Sequence, residues 1–364
     1  MQIQQILRQL EALAPPALQE SYDNAGLITG NAAWECTGVL VALDCTEAIV
    51  AEAVQRGCNL VVAHHPIVFS GLKKITGKTY VERTVIQAIK HDVAIYAIHT
   101  NLDNVAAGVN QKIARQLDLQ QLQILQPKQN LLLRLQTYVP PAHAEAVREA
   151  LFHAGAGHIG RYSECSFSVA GTGTFKPGDG ADPYLGSLHM RERVAEEKIE
   201  VLLPVYLQQP VLQALFAAHP YEEVAYELLP LQNRLQEVGS GMTGLLPEPL
   251  PAATFLALVK ERFGVPCIRH TALPDRLVQK IAVCGGAGSF LTGAAIAAGA
   301  DVYLTADVKY HEFFDADGKI VLADIGHYES EQFTIDLLVD FLQIKFPNFA
   351  VLKTGLCTNP VSYF

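Results

Sequence analysis

Apolar positions along the chain keep one rhythm, lose it near residue 127 and regain it past residue 245. The opening segment MQIQQILRQLEALAPP repeats its apolar residues at helical spacing and stops at two prolines, so it predicts an amphipathic helix. From residue 39, short apolar runs alternate with helical patterns: VLVALDC, TEAIVAEAVQRG, NLVVAHH, VERTVIQAIKH and VAIYAIHT. Continuous β-branched runs between amphipathic helices predict parallel strands covered on both faces. Beyond residue 127 the order becomes strand (LLLRLQTYV), helix (PAHAEAVREALFHAG), a glycine-bearing stretch read as an antiparallel hairpin (YSECSFSVAGTGTFKP), strand (KIEVLLPVY), helix (VLQALFAAHP) and strand (EEVAYELLPL). That succession predicts a compact α+β insert.

Past GMTGLLPEPLP the first rhythm resumes, with KIAVCGGAGSFLTGAAIAAG as strand, turn and helix, DVYLTAD and KIVLADIGH as strands, and SEQFTIDLLVDFLQIKF as a helix. The expected fold class is therefore α/β. Residues 1–126 and 246–364 form one split domain sharing a single sheet, and residues 127–245 form the insert.

Composition narrows the function classes. Half the residues are apolar and 18% charged, ample for a large core. The net charge of −10 comes with scattered rather than clustered cations, which argues against a nucleic-acid surface. No run reaches the eighteen or so apolar residues of a membrane span, and the amino terminus lacks the basic start of an export signal, so the expected location is cytoplasmic. Seven cysteines without a C-x-x-C spacing read as reduced core residues.

Candidate chemistry lies at strand ends. His64-His65-Pro66 follows the run NLVV, where ligands of open α/β sheets gather. Adjacent side chains on a strand point to opposite faces, so the two imidazoles serve one site only if the strand is ending, or else each faces its own ion. The next run ends in His99, Thr100, Asn101 and Asp103, whose carboxylate suits a bridge between ions but also a helix cap. ADIGHYESEQF then offers His327 and Glu331 at helical i, i+4 spacing. Three strand ends bearing histidine or carboxylate point to one hydrolytic centre, with His64, His65, Asp103, His327 and Glu331 as ligands. Thr305, Asp307 and Lys309, with Asn101, are candidate pocket residues, and His311 and Glu331 candidate catalytic ones. Cys284-Gly285-Gly286-Ala287-Gly288-Ser289 reads either as an anion-receiving turn or as a tight strand-to-helix connection, and Gly171-Thr172-Gly173 as a hairpin turn.

Four segments carry a resemblance: Ser21-Tyr22-Asp23-Asn24-Ala25-Gly26-Leu27, His64-His65-Pro66-Ile67-Val68-Phe69, His99-Thr100-Asn101-Leu102-Asp103, and Gly285 through Glu331. Together they resemble the Nif-three-like dinuclear metal-centre family, also labelled GTP cyclohydrolase 1 type 2 homologues. The insert, with GHIGRYSECSFSVAGTGTF and HPYEEVAYELL, is similar to the ferredoxin-like PII/CutA domain of the family's longer bacterial members. The resemblance implies the same five ligands, two divalent ions per subunit (zinc, iron or manganese), a homohexamer, and opening of the GTP guanine ring by water activated between the ions. Lys309 and His311 would meet triphosphate or move protons. Tyr22 stands where tryptophan is common, and His311-Glu312-Phe313-Phe314 replaces a more usual His-Asp-Ala, altering the pocket wall. Phosphoester or amide hydrolysis, or a non-catalytic metal-binding regulator, are the alternatives.

Overall fold

The apolar runs become strands without an exposed residue: Val39–Ala42, Leu60–Ala63, Ala94–Ala97, Val302–Ala306 and Val321–Asp324 are buried throughout. Such strands cannot face water on either side, so each sheet is sandwiched. These features belong to a computed structural model that describes residues 1–364.

Two compact units emerge, one of Met1–Pro127 with Glu237–Phe364, the other of Lys128–Gln236. The first unit contains two sheets, not the single shared sheet expected from the sequence. In the first sheet Val351–Lys353, Val39–Ala42, Leu60–Ala63 and Ala94–Ala97 run parallel, and Gly26–Thr29 closes the edge antiparallel. The second sheet orders Arg269–His270, Val321–Asp324, Val302–Ala306, Leu277–Ala287, Leu235–Pro251 and Gln120–Lys128, with its three central strands parallel. One sheet holding all of these strands would exceed the ten or so at which twisted open sheets split into layers. Each sheet nevertheless mixes both ends of the chain, since Val351–Lys353 sits in the first and Gln120–Lys128 in the second.

One continuous core joins both sheets. It unites Val41, Val62 and Tyr96 of the first with Val283, Leu304 and Ala323 of the second, and with Ile6, Ile113, Phe255 and Leu338 from helices Ile3–Leu13, Val109–Gln116, Ala252–Phe263 and Thr334–Lys345. The opposite face of the first sheet packs on Ile49, Val50 and Ala88 from helices Glu47–Gln55 and Tyr80–Lys90. The outer face of the second packs on Leu291, Ala295 and Ala316. Cys36, Cys45, Cys58 and Cys284 are buried as small core residues, but Cys267 and Cys357 are exposed, because their segments run outside the sheets.

The second unit is a four-stranded antiparallel sheet ordered Ser166–Phe175, Glu192–Pro204, Leu132–Val139, Tyr226–Leu231, with helices Pro141–His153 and Gln208–Ala218 over one face. This βαββαβ order is the ferredoxin-like arrangement expected of the insert. Two local readings are corrected. Ser166–Phe175 is one strand rather than a hairpin, and Gly171-Thr172-Gly173 lies inside it, paired with Glu196, Ala195 and Val194. A Cβ at Gly173 would meet the carboxylate of Glu196, the far end of a flexible side chain that can move aside. Residues 237–245, grouped with the insert by hydropathy, lie in the long strand Leu235–Pro251 of the first unit, where Met242–Leu245 pair with Lys280–Val283.

The chain leaves and re-enters the first unit at neighbouring points. A Cβ on Gly239 would lie 2.7 Å from Pro127 Cα, and one on Gly244 3.0 Å from the Gln120 carbonyl, so the two bordering strands run antiparallel side by side. Each unit also has its own core. Replacing Lys128–Gln236 with a hairpin loop of about four residues is therefore expected to leave the first unit folded. Circular dichroism melting would check this, and loss of a cooperative transition would refute it.

Candidate metal centre

The carboxyl ends of parallel strands from both sheets converge on one cluster. Leu60–Ala63 delivers His64 and His65, and Ala94–Ala97 leads through His99 into the short helix Thr100–Asp103. Val302–Ala306 ends at Asp307, and Val321–Asp324 leads through Gly326 into the helix His327–Glu331. That helix puts His327 and Glu331 one turn apart, with Nε2 3.1 Å from Oε2.

Every imidazole is held by its outer nitrogen. His64 Nδ1 donates to the Ile98 carbonyl at 2.8 Å, His65 Nδ1 to Asp44 Oδ1 at 2.7 Å, His327 Nδ1 to Asp307 Oδ2 at 2.6 Å, and His99 Nδ1 to Asp23 Oδ1 at 2.7 Å. Such bonds fix the ring and, in the neutral tautomer, turn the Nε2 lone pair inward, the usual outer partnership of a metal-binding histidine. Two groups of inward atoms result. His64 Nε2 lies 3.6 Å from Asp103 Oδ1 and 3.8 Å from Glu331 Oε1, while His65 Nε2 and His327 Nε2 lie 2.9 and 3.1 Å from Glu331 Oε2 and 3.3 Å from each other. Glu331 stands between the groups with one oxygen toward each.

The ligand fit is tested by atoms that the protein leaves unpaired. His64 Nε2 and Asp103 Oδ1 are buried without any hydrogen-bond partner, although they face each other. An unpaired buried acceptor costs about 1–3 kcal/mol, and two aimed at one point suit a cation. His64, His65 and Glu331 alone bring three ligand atoms within 4.8 Å of one another.

Electrostatics agree. Burial would depress the His65 imidazole, yet Asp44 and Glu331 outweigh it and lift it to about 9. For His327, Asp307 and Glu331 likewise overcome burial, lifting it to about 11. Burial and then the Glu331 carboxylate push Asp103 up to about 7. Glu331, which burial alone would raise, is held well below the usual carboxylate range by His327, His64 and His65. Burial pushes the neighbouring Cys284 thiol up to about 12, so in the metal-free cluster it stays a thiol, donating to the Gly285 carbonyl.

The remaining candidates are distributed differently. Asp307 holds His327 and, as expected, also lines the cleft beside the cluster. Thr305 is fully buried with its hydroxyl given to the Gly286 carbonyl, and Asn101 is fully buried, donating to the Ala14 carbonyl and accepting from His99 N. Both are polar residues that a strand end consumes internally, so neither lines a pocket. Lys309 is exposed, 3.9 Å from Glu312. His311 is exposed and packs on Tyr310 and Phe314, and its contacts do not include the cluster. The glycine turn makes room for the protein's own carboxylate rather than for an anion from solvent, because a Cβ on Gly286, with φ +60°, would collide with Glu331 Oε1.

Sequence reasoning missed Asp44 and Asp23. A polar residue closing an apolar run, as in VALDC, was the available signal for Asp44. It also left His99 without a role, although that ring stands edge-on to His64 and His65 at 5.4 and 5.5 Å between centroids. A cleft of about 360 Å³ opens on this centre, lined by Asp44, His65, Asp307, His327, Arg269 and the carboxyl-terminal Asn359–Val361 segment, among others.

The profile of one protein family matches residues 1–360, nearly the whole chain. The chain belongs to the Duf34/NIF3 (NGG1p interacting factor 3) family. Among NIF3 relatives, a Halalkalibacterium halodurans protein named "GTP cyclohydrolase 1 type 2 homolog" is 38% identical over 366 residues, covering 99% of this chain and 98% of its own. A Bacillus subtilis protein of the same name is 39% identical over 327 residues, covering 89% and 88%. The crystal structure of a Bacillus cereus protein related to NIF3 superposes with a TM-score of 0.87 at 38% identity, covering 100% of this chain and 99% of that one. The NIF3 match thus rests on sequence and fold together.

Raised pKa values set a sign for the metal-free protein. His65, lifted from 6.5 to about 9, adds stability that is fully present below pH 6.5 and is lost as pH rises through 9. In chelator-treated protein, the melting-temperature advantage of the wild type over His65→Gln is therefore expected to shrink as pH climbs through that window. An advantage that grows instead would contradict the assignment.

Proposed function

We propose that this chain binds two divalent cations, one between His64, Asp103 and Glu331, the other between His65, His327 and Glu331, and that the pair serves hydrolysis. The observation that carries this reading is the facing, unpaired pair His64 Nε2 and Asp103 Oδ1, together with a Glu331 carboxylate divided between two sets of imidazoles. Imidazole and carboxylate donors without thiolate suit zinc, iron or manganese. Such ions, when bound, supply Lewis acidity that makes water a nucleophile near neutral pH.

The chain's own groups do the rest. Asp44 and Asp307 fix the rings of His65 and His327, and the Ile98 carbonyl fixes that of His64, so the inward nitrogens are aimed before any ligand arrives. His99, set by Asp23 and bordered by Phe69, supplies a further imidazole beside the ligands for orienting a substrate polar group. Asp44, Asp307, Asp324 and Glu329 line the cleft together with His65, His327 and Arg269, and three of the four acids are paired there, with His65, His327 and Arg269 respectively.

GTP is the first substrate to test, because the curated relatives carry the cyclohydrolase name. Metal-loaded wild type is expected to hold two equivalents by elemental analysis and to release formate from GTP. Asp103→Ala is expected to lose one equivalent and at least about a hundredfold in rate, in keeping with the weight of a metal-activated nucleophile. GTP binding should also collapse on chelation. Tight, metal-dependent GTP binding with no formate would instead favour a regulatory role for the same centre.

A further inference from the structure

The carboxyl-terminal segment reaches this centre. After the edge strand Val351–Lys353, Thr354 donates to Glu52 Oε2 and Gly355 N to Glu52 Oε1, which fixes where the tail departs from the first sheet. The tail then runs to the cleft. Thr358 Oγ1 donates to Asp44 Oδ2 at 2.5 Å, and the other oxygen of that carboxylate, Oδ1, receives His65 Nδ1 at 2.7 Å. One residue on, Asn359 Nδ2 donates to Glu329 Oε1 at 3.0 Å, in the helix that carries His327 and Glu331. Asn359, Pro360, Val361 and Tyr363 wall the cleft that His65 and His327 also line.

The four imidazoles are not held alike. His64 is fixed by the main-chain carbonyl of Ile98, which cannot rotate without moving its strand end. His65 is fixed by a side-chain carboxylate, free to turn about its own torsions unless its second oxygen is also engaged. That engagement comes from a residue more than three hundred positions away in sequence, on an irregular segment.

We propose that Thr358 is a positioning residue for the metal centre: through Asp44 it sets the His65 ring, and so controls the ion position built by His65 and His327 while leaving that of His64 and Asp103 unaffected. The inference rests on the two-position reading above. Its physical basis is that a carboxylate pinned at both oxygens holds its histidine more firmly than one pinned at a single oxygen. Outer partners of this kind change metal affinity by roughly 10–100-fold.

The test is a cobalt(II) titration of the metal-free full-length protein, followed by visible absorption and calorimetry, for wild type, Thr358→Val and Thr358→Ser. Valine keeps the volume and removes the hydroxyl, while serine restores the hydroxyl. Thr358→Val is expected to bind one equivalent as the wild type does and the other about tenfold more weakly, with an altered ligand-field spectrum for that equivalent only, and Thr358→Ser to recover both. Unchanged binding in Thr358→Val, equal weakening of both equivalents, or failure of serine to rescue would overturn the role of Thr358. A wild type that takes up a single equivalent would overturn the two-position reading itself, and the positioning role with it. Melting curves of the three proteins separate a local effect from loosening of the fold, and a valine variant that melts early with both sites weakened counts against the proposal.

Discussion

Glu331 is a carboxylate at the centre of a protein, and most of the surrounding architecture answers the problem that this creates. It is 3% exposed, and burying an anion costs several kcal/mol unless positive charge comes with it. Three imidazoles surround it and two of them are driven to hold protons. Those protons occupy the electrostatic role that cations would fill, and their outer nitrogens need carboxylates of their own, Asp44 and Asp307. The acid thus organises two shells of partners, and each shell draws on strand ends from both sheets. Because no single sheet could present all of these groups, the two-sheet arrangement and the shared core between them are conditions for the cluster.

Much of the first unit was legible because its physics is local. Runs such as LVVA and VLVA have no polar face and read as strands covered on both sides, and the four-residue interval between His327 and Glu331 states its geometry as soon as a helix begins there. What escaped depends on the order in which strands lie beside one another. Asp44 meets His65 because Val39–Ala42 and Leu60–Ala63 are parallel neighbours in register, and Asp23 meets His99 across 76 positions because of an antiparallel edge. Neither pairing leaves a periodic trace. The number of sheets was likewise invisible, since an apolar run does not say which neighbour it has.

Polar residues near strand ends were over-read for the same reason. Thr305 and Asn101 have the residue type and location of pocket groups, yet both spend their hydrogen bonds on the main chain in the interior. His311 lies within a few positions of Asp307 but on a separate short helix, exposed between the outward-facing Tyr310 and Phe314. Proximity in sequence carried less information than the direction in which the backbone turned after Ala306, where Asp307 takes a left-handed conformation at φ +54°.

The turn at Gly286 has a bearing on how other chains are read. A glycine-rich connection between strand and helix is habitually taken as a cradle for phosphate, with the missing side chain yielding space to a ligand from solvent. Here the vacated volume is claimed by the protein's own acid. Small residues after a buried strand can therefore mark room for an internal carboxylate, and a search that scores such loops for nucleotides alone will overlook clusters of this design.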